Sequence, residues 1–266
     1  MRYERKVLVG CAIALFLASE AIAKNPPAKP LPGQIIVSAK NPGHLVYNRD
    51  SDRNGRLDPV FLVGPGDPEG FLYLGPRNAD GTRRGNQARL IERLRKQGGN
   101  CVYLQAVRSH GGDGGVDHNP FVDRDPSKGL SKPILDQWEN WFAAADKAGI
   151  VIYFFFYDDS AKPFGNRGDV LPAAERRFVR AIVSRFKHHK HLIWCIAEEY
   201  HEAFSRKRMS NFAAEIRAAD NHRHVIAVHH RTGDRTMDFP NDPNIDEFSM
   251  QAAPKPASVD ALHADV

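Results

Sequence analysis

The sequence predicts an α/β protein in which helices cover a parallel sheet, as in a (β/α)8 barrel of TIM-barrel type. Segments of strand length alternate with longer segments whose apolar residues recur every three or four positions. The strand segments are apolar almost throughout, as in Val151–Phe156. Such runs are typical of parallel strands that are buried on both faces. Only about six strand-helix units can be counted, so we expect an incomplete barrel.

The first 23 residues have the pattern of a secretory signal peptide. Arg2, Arg5 and Lys6 precede an apolar run at 7–18, and small residues follow at Ala21–Ala23. We therefore expect a secreted or periplasmic protein. A lipoprotein signal ending at Cys11 is an alternative, but its short spacing from Lys6 disfavours it.

Two further segments complete the predicted organisation. Residues 24–33 contain four prolines and are expected to form a stiff linker. Residues 34–266 form the barrel region, a length that suits one (β/α) domain of roughly 250 residues. After removal of the signal, no other segment is long and apolar enough to predict a membrane span.

Charge and cysteine content exclude several classes of partner and site. The net charge is +5, but much of it lies on one predicted helix as a solvated face and no nucleic-acid-binding motif accompanies it. We expect no nucleic-acid partner. Cys101 and Cys195 fall inside predicted strands, which favours two buried thiols over a disulfide or a metal site.

The elements follow one another in a regular order. A leading hairpin is predicted from Ile35–Val37 and His44–Tyr47, and it could cap the bottom of the barrel. Helices between the later strands are marked by apolar stripes, for example Phe178, Ile182 and Phe186. The six predicted barrel strands are Phe61–Val63, Cys101–Leu104, Val151–Phe156, Leu192–Ala197, Val225–Val228 and Ile245–Met250. A doubly wound sheet is the alternative, but the dinucleotide-binding pattern is absent after the first strand, and no cofactor is expected.

Polar residues follow every predicted barrel strand. Because the carboxyl ends of parallel strands meet on one face, these side chains should line one pocket. They are Asp67 and Glu69; Arg108, His110 and Asp113; Asp158 and Asp159; Glu198 and Glu199; His229 and His230; and Gln251.

The fourth strand carries the most specific pattern, Trp194 followed by Glu198, Glu199 and Tyr200. It resembles the acid/base strand of retaining glycoside hydrolases of the large (β/α)8 clan. The resemblance implies that Glu199 is the catalytic acid/base and that Glu198 occupies the position usually held by Asn. A neighbouring carboxylate tends to raise a pKa in the pair, which suits a general acid near neutral pH.

Further motifs resemble the apiosidase-like barrel family. They are Val60–Gly64, Asn100–Leu104 and Trp194–Glu199, within a similarity that spans roughly Leu45–Gln251. The resemblance implies a glycoside hydrolase-like protein that acts on a polysaccharide or oligosaccharide. The residues expected to bind this carbohydrate are Asp67, Arg108, His110, Asp159, His229 and Gln251.

The resemblance leaves the catalytic nucleophile unassigned. A retaining hydrolase needs a second carboxylate about 5 to 5.5 Å from the first. In the family that residue ends the seventh strand, and no seventh strand can be assigned here. We favour a truncated chain, which the absence of this nucleophile could leave inactive. Alternatively, a complete chain self-associates through open barrel edges, or uses Asp67 or Asp158 as its second carboxylate.

Three alternatives to catalysis by carboxylates stay open. The barrel could bind sugars without hydrolysing them. It could be a metal-dependent hydrolase that uses a cluster drawn from His110, Asp113, His118, His229 and His230, although their spacing is not specific. Finally, Asp50–Asp58 partly matches a calcium loop, but an ordinary turn is favoured because position twelve is Phe61 rather than Glu.

Overall fold

A computed structural model describes residues 29–65, 69–166, 168–231 and 236–251. The predicted signal peptide at 1–23 lies outside the described residues. The chain enters through an antiparallel hairpin of β1 (Ile35–Val37) and β2 (Leu45–Tyr47), as predicted.

Five parallel strands then form one sheet with helices between them, which confirms the α/β prediction. Sheet order follows chain order from the first strand to the last. The strands are β3 (Cys101–Val107), β4 (Val151–Tyr157), β5 (Leu192–Ala197), β6 (Ile226–His230) and β7 (Glu247–Met250). The helices are α1 (Gln87–Lys96), α2 (Lys132–Ala148), α3 (Ala173–Phe186) and α4 (Arg206–Ala219).

Local sequence signals explain where the helices begin and end. A proline occupies the first turn of α2, and Gly149 ends that helix in a left-handed conformation (φ 70°) that favours glycine. Ser205 begins α4, because its hydroxyl accepts a hydrogen bond from the Arg208 N–H at 3.1 Å. These turns deliver each following strand back to the sheet.

The sheet has an apolar cluster on each face. The helices cover the outer face, where Trp138, Phe154 and Trp194 are almost fully buried. The inner face carries a second cluster that includes the thiols of Cys101 and Cys195, and the leading hairpin packs against it through Ile35. The hairpin therefore closes the bottom of the inner face, as the sequence predicted.

The predicted first barrel strand, Phe61–Val63, is not a strand in the structure. The side-chain amide of Asn100 forms two hydrogen bonds with the backbone of this segment. The Val63 N–H donates to Asn100 Oδ1 at 2.7 Å, and Asn100 Nδ2 donates to the Phe61 carbonyl at 2.8 Å. These bonds replace a continuous strand ladder. Only backbone N–H groups of Asn100 and Cys101 reach the Val63 carbonyl.

The sheet is open over the described residues, because β3 and β7 each pair along one edge only. Five strands therefore curve around the inner face without closing a barrel. In the same part of the chain, none of the helices combines the length and apolar character needed to cross a membrane.

Candidate active site

The inner face of the sheet borders a cavity of about 580 Å³. Residues from the inner face of the sheet line it, together with Leu62 and Glu69, which precede β3. The described residues that line it are Leu62, Glu69, Cys101, Tyr103, Tyr153, Phe155, Glu198, His229, Glu247, Ser249, Met250 and Gln251. Three carboxyl groups and three aromatic rings thus share one cavity.

Glu198 follows the last residue of β5 and presents its carboxyl group to this cavity. The Gln105 Nε2 donates a hydrogen bond to Glu198 Oε2. Burial raises the pKa of Glu198 to about 8, and the nearby charges of Glu69, Asp158 and Asp159 act in the same direction. At neutral pH this group is mostly a neutral carboxylic acid, which can donate a proton.

Glu199 adopts a left-handed conformation (φ 39°), which turns the chain away from the strand direction. Its backbone N–H donates to His229 Nδ1 at 3.2 Å. Glu199 is half-buried but does not belong to the described lining of the cavity. The role of Glu199 as acid/base stays a prediction.

Arg108, predicted to bind substrate, lies between two carboxylates. Its Nε contacts Asp158 Oδ2 at 3.0 Å, and its Nη2 contacts Glu69 Oε2 at 3.4 Å. Glu69 also accepts a hydrogen bond of 2.6 Å from the Tyr103 hydroxyl. Asp158 is 2% exposed and accepts two further bonds from the backbone N–H groups of Asp113 and Asp159. A side-chain hydrogen bond between Asp158 and Glu198 also contributes to the raised pKa of Glu198.

His229 lines the cavity and contacts both Glu199 and Phe155. Its ring packs edge-on against Phe155, with centroids 5.6 Å apart. Burial, reinforced by the neighbouring His230 and His201, lowers the pKa of His229 to about 4. The ring is therefore neutral at physiological pH, and because Nδ1 accepts from Glu199 its proton belongs on Nε2.

Of the other predicted site residues that the structure describes, Gln251 lines the cavity. Asp159 is not part of that lining, and burial and then the charge of Asp158 raise its pKa to about 6. His110 bonds to Ser109 Oγ at 2.6 Å and is not part of the described lining, and Asp67 lies outside the described residues.

The comparisons with known proteins agree with this architecture. The family model described as "Apiosidase-like, catalytic domain" matches residues 80–261. The chain belongs to this family. None of the curated proteins matches it.

Solved structures place the apiosidase-like domain in a glycoside hydrolase-like fold. A glycoside hydrolase family 5 protein from Bacteroides vulgatus ATCC 8482 has a TM-score of 0.55 at 16% identity over 80% of this chain and 43% of its own. A protein titled only "Glycoside hydrolase" has a TM-score of 0.55 at 18% identity, over 82% and 46% of the two chains. At such identities the likeness shows the fold alone. The apiosidase-like chain spans less than half the length of these structures.

Two functional candidates in the apiosidase-like domain escaped the sequence analysis. Gln105 extends β3 beyond the predicted Leu104, and Glu247 lies inside a strand predicted only from its apolar residues. Burial raises the pKa of Glu247 to about 7, although the Tyr153 hydroxyl donates to it at 3.0 Å. For Gln105 the signal that could have identified it is a polar residue at an inward position of an otherwise apolar strand.

The predicted histidine-rich metal cluster does not assemble in the described part of the domain. Two other sets of three residues there have potential ligand atoms within 4.8 Å of one another. They are Glu139, His188 and His189, and Asp50, Asp52 and Asp58. Neither set borders the cavity. The carboxylates of Asp50 and Asp58 accept hydrogen bonds from backbone N–H groups of their own turn. This pattern favours the ordinary turn.

Proposed function

We propose that this chain is exported by its first 23 residues and acts on a polysaccharide or oligosaccharide. In this proposal it supplies the general acid of a glycoside hydrolase site. The observation that carries the proposal is Glu198. It directly follows the central parallel strand β5, lines the cavity and has a pKa raised to about 8 by burial. A carboxylic acid that is protonated at neutral pH is the group that glycoside hydrolysis needs at the leaving oxygen.

In this proposal Glu198 donates its proton to the glycosidic oxygen as the bond to the anomeric carbon breaks. A second carboxylate must then stabilise or attack that carbon, and the distance between the two decides whether configuration is retained or inverted. Glu69 and Glu247 line the same cavity and are the described candidates for this role. We favour Glu69, because Arg108 Nη2 and the Tyr103 hydroxyl hold its carboxyl group in place.

Turnover assays with isosteric variants test the assignment. The full chain is screened on plant and algal polysaccharides as the parent and as Glu198→Gln, Glu199→Gln and Glu92→Gln, the last being a control on the exposed face of α1. We expect Glu198→Gln to lose about 10²-fold or more in kcat, since general acid catalysis contributes that much. Loss in Glu199→Gln alone would return the acid/base role to Glu199. Equal turnover by all variants would sink the proposal.

A second candidate function is carbohydrate binding without hydrolysis. Tyr103, Tyr153 and Phe155 line the cavity, and aromatic faces stack on the apolar faces of sugars. Calorimetric titration with the same polysaccharides distinguishes this case. Binding that is equal in the parent and Glu198→Gln, with no product from either, favours the binding module.

A further inference from the structure

Gln105 is a buried amide on the inner side of the sheet. It follows Cys101 and Tyr103 in the alternation of β3, and both of those residues line the cavity. Gln105 is 0% exposed, and its Nε2 donates to Oε2 of Glu198. Because β4 separates β3 from β5 in the sheet, this bond spans two strand spacings on the inner face.

The acceptor side of this amide is unused. Within the described part of the chain, Gln105 Oε1 is buried and has no hydrogen-bond partner. A buried acceptor without a donor is costly, and such groups are rare in folded proteins. The cost disappears when a donor is present, and the Glu198 carboxyl, which the amide already contacts, can become one because it donates through O–H when protonated.

We propose that Gln105 is a positioning residue that follows the protonation state of Glu198. When Glu198 is ionised, the amide donates Nε2–H to the carboxylate. When Glu198 is protonated, a half-turn of the amide presents Oε1 to the acid O–H. One side chain therefore holds the carboxyl group in the same place before and after proton transfer. The inference rests on the proposed function only in taking Glu198 as the acid.

Removing the amide should shift the titration of Glu198 in a defined direction. A hydrogen bond to a charged group is about twice as strong as one between neutral groups. Loss of Gln105 thus destabilises the ionised form of Glu198 more than the protonated form, and the pKa of Glu198 should rise by about one unit. The groups that set the remaining electrostatics around Glu198 are unchanged: Glu69, Arg108, Asp158, Asp159, His229 and Glu247.

The test measures Glu198 directly by NMR titration of ¹³C-labelled glutamate carboxyl groups in the full chain. Glu198→Gln assigns the signal. Gln105→Met is compared with Gln137→Met, which removes an amide from α2 whose partners are the backbone of Arg83, away from the cavity. We expect the higher Glu198 pKa in Gln105→Met only. An unchanged pKa, or an equal shift in the control, overturns the inference.

A second measurement does not depend on the folding of a variant. In the parent protein, the side-chain ¹⁵N and ¹H signals of Gln105 should titrate with the same midpoint as the Glu198 carboxyl signal. Gln105 signals that do not change with pH, or that change with a different midpoint, overturn the proposal. Neither measurement requires turnover, so coupled titration without hydrolysis would refute the proposed function and leave the role of Gln105 intact.

Discussion

The buried ion pair between Arg208 and Glu175 should dominate the stability of the helical layer. Arg208 on α4 is 0% exposed, and its guanidinium donates to Glu175 on α3 and to the carbonyls of Gly168 and Val170, at 3.2 and 2.9 Å. The Tyr157 hydroxyl at the end of β4 donates to the other Glu175 oxygen at 2.8 Å. One cation thus connects two helices, a strand and the loop after that strand.

Arg208→Met removes this cation and leaves the Glu175 carboxyl buried without its partner. Breaking a buried pair in this way costs about 3–5 kcal/mol. The matched control is Arg180→Met, because Arg180 pairs with Glu215 at 2.7 Å on the surface, with 57% of its side chain exposed. Such exposed pairs contribute about 0–1 kcal/mol. The two variants should therefore differ by about 3 kcal/mol in free energy of unfolding, measured by urea denaturation.

The pH dependence of the variant gives an independent check. Burial raises the pKa of Glu175, while the charge of Arg208 opposes that effect, so Arg208→Met should raise this pKa further. A carboxyl with a raised pKa in the folded state binds protons more readily than in the unfolded state. Stability lost in the variant should consequently return as pH falls through the folded pKa. Adding Glu175→Gln should remove this pH dependence. Equal stability of Arg208→Met and Arg180→Met at neutral pH would refute the reasoning.

Three other predictions concern the site and its supporting loops. If Glu198 is the acid, kcat/KM should fall as pH rises through about 8, and a rate that is flat to pH 9 would contradict its role. Gly114→Ala would place a Cβ 2.3 Å from the Arg108 backbone oxygen and should cost about 1–3 kcal/mol in urea denaturation, whereas Gly115→Ala meets only flexible side chains and should cost less. Chelation of divalent cations should leave the melting temperature unchanged, because the 50–58 turn is closed by its own hydrogen bonds; a lower value would restore the calcium hypothesis.

Apolar patterning predicted the fold well, and the physical reason is burial. Val151–Phe156 is apolar because β4 lies at the interior of the parallel sheet, with one neighbour on each side. Phe61–Val63 has a similar composition, yet it is not a strand. The side chain of Asn100 bonds to its backbone at two points, and no periodicity in the sequence can reveal such a long-range amide bridge.

The site was harder to predict than the fold because partners are set by three-dimensional contacts. The sequence identified Arg108 as a cation at a strand end, but not that Glu69 and Asp158 hold it from two sides. Gln105 and Glu247 were not predicted as site residues, because a strand is recognised from its apolar residues and the polar residues within it are disregarded. In a curved parallel sheet, those exceptions on the inner face are where chemistry can be placed.

The adjacent acids Glu198 and Glu199 differ in their relation to the cavity. Both lie after Ala197, the last residue of β5, so strand alternation does not fix the directions of their side chains. Glu199 adopts a left-handed conformation, and of the two only Glu198 is among the residues that line the cavity. A second carboxyl group that acts on the same glycosidic bond should therefore come from another part of the chain. Glu69 before β3 and Glu247 in β7 meet that requirement, which Glu199 does not, and their isosteric glutamine variants are the direct way to identify the second group.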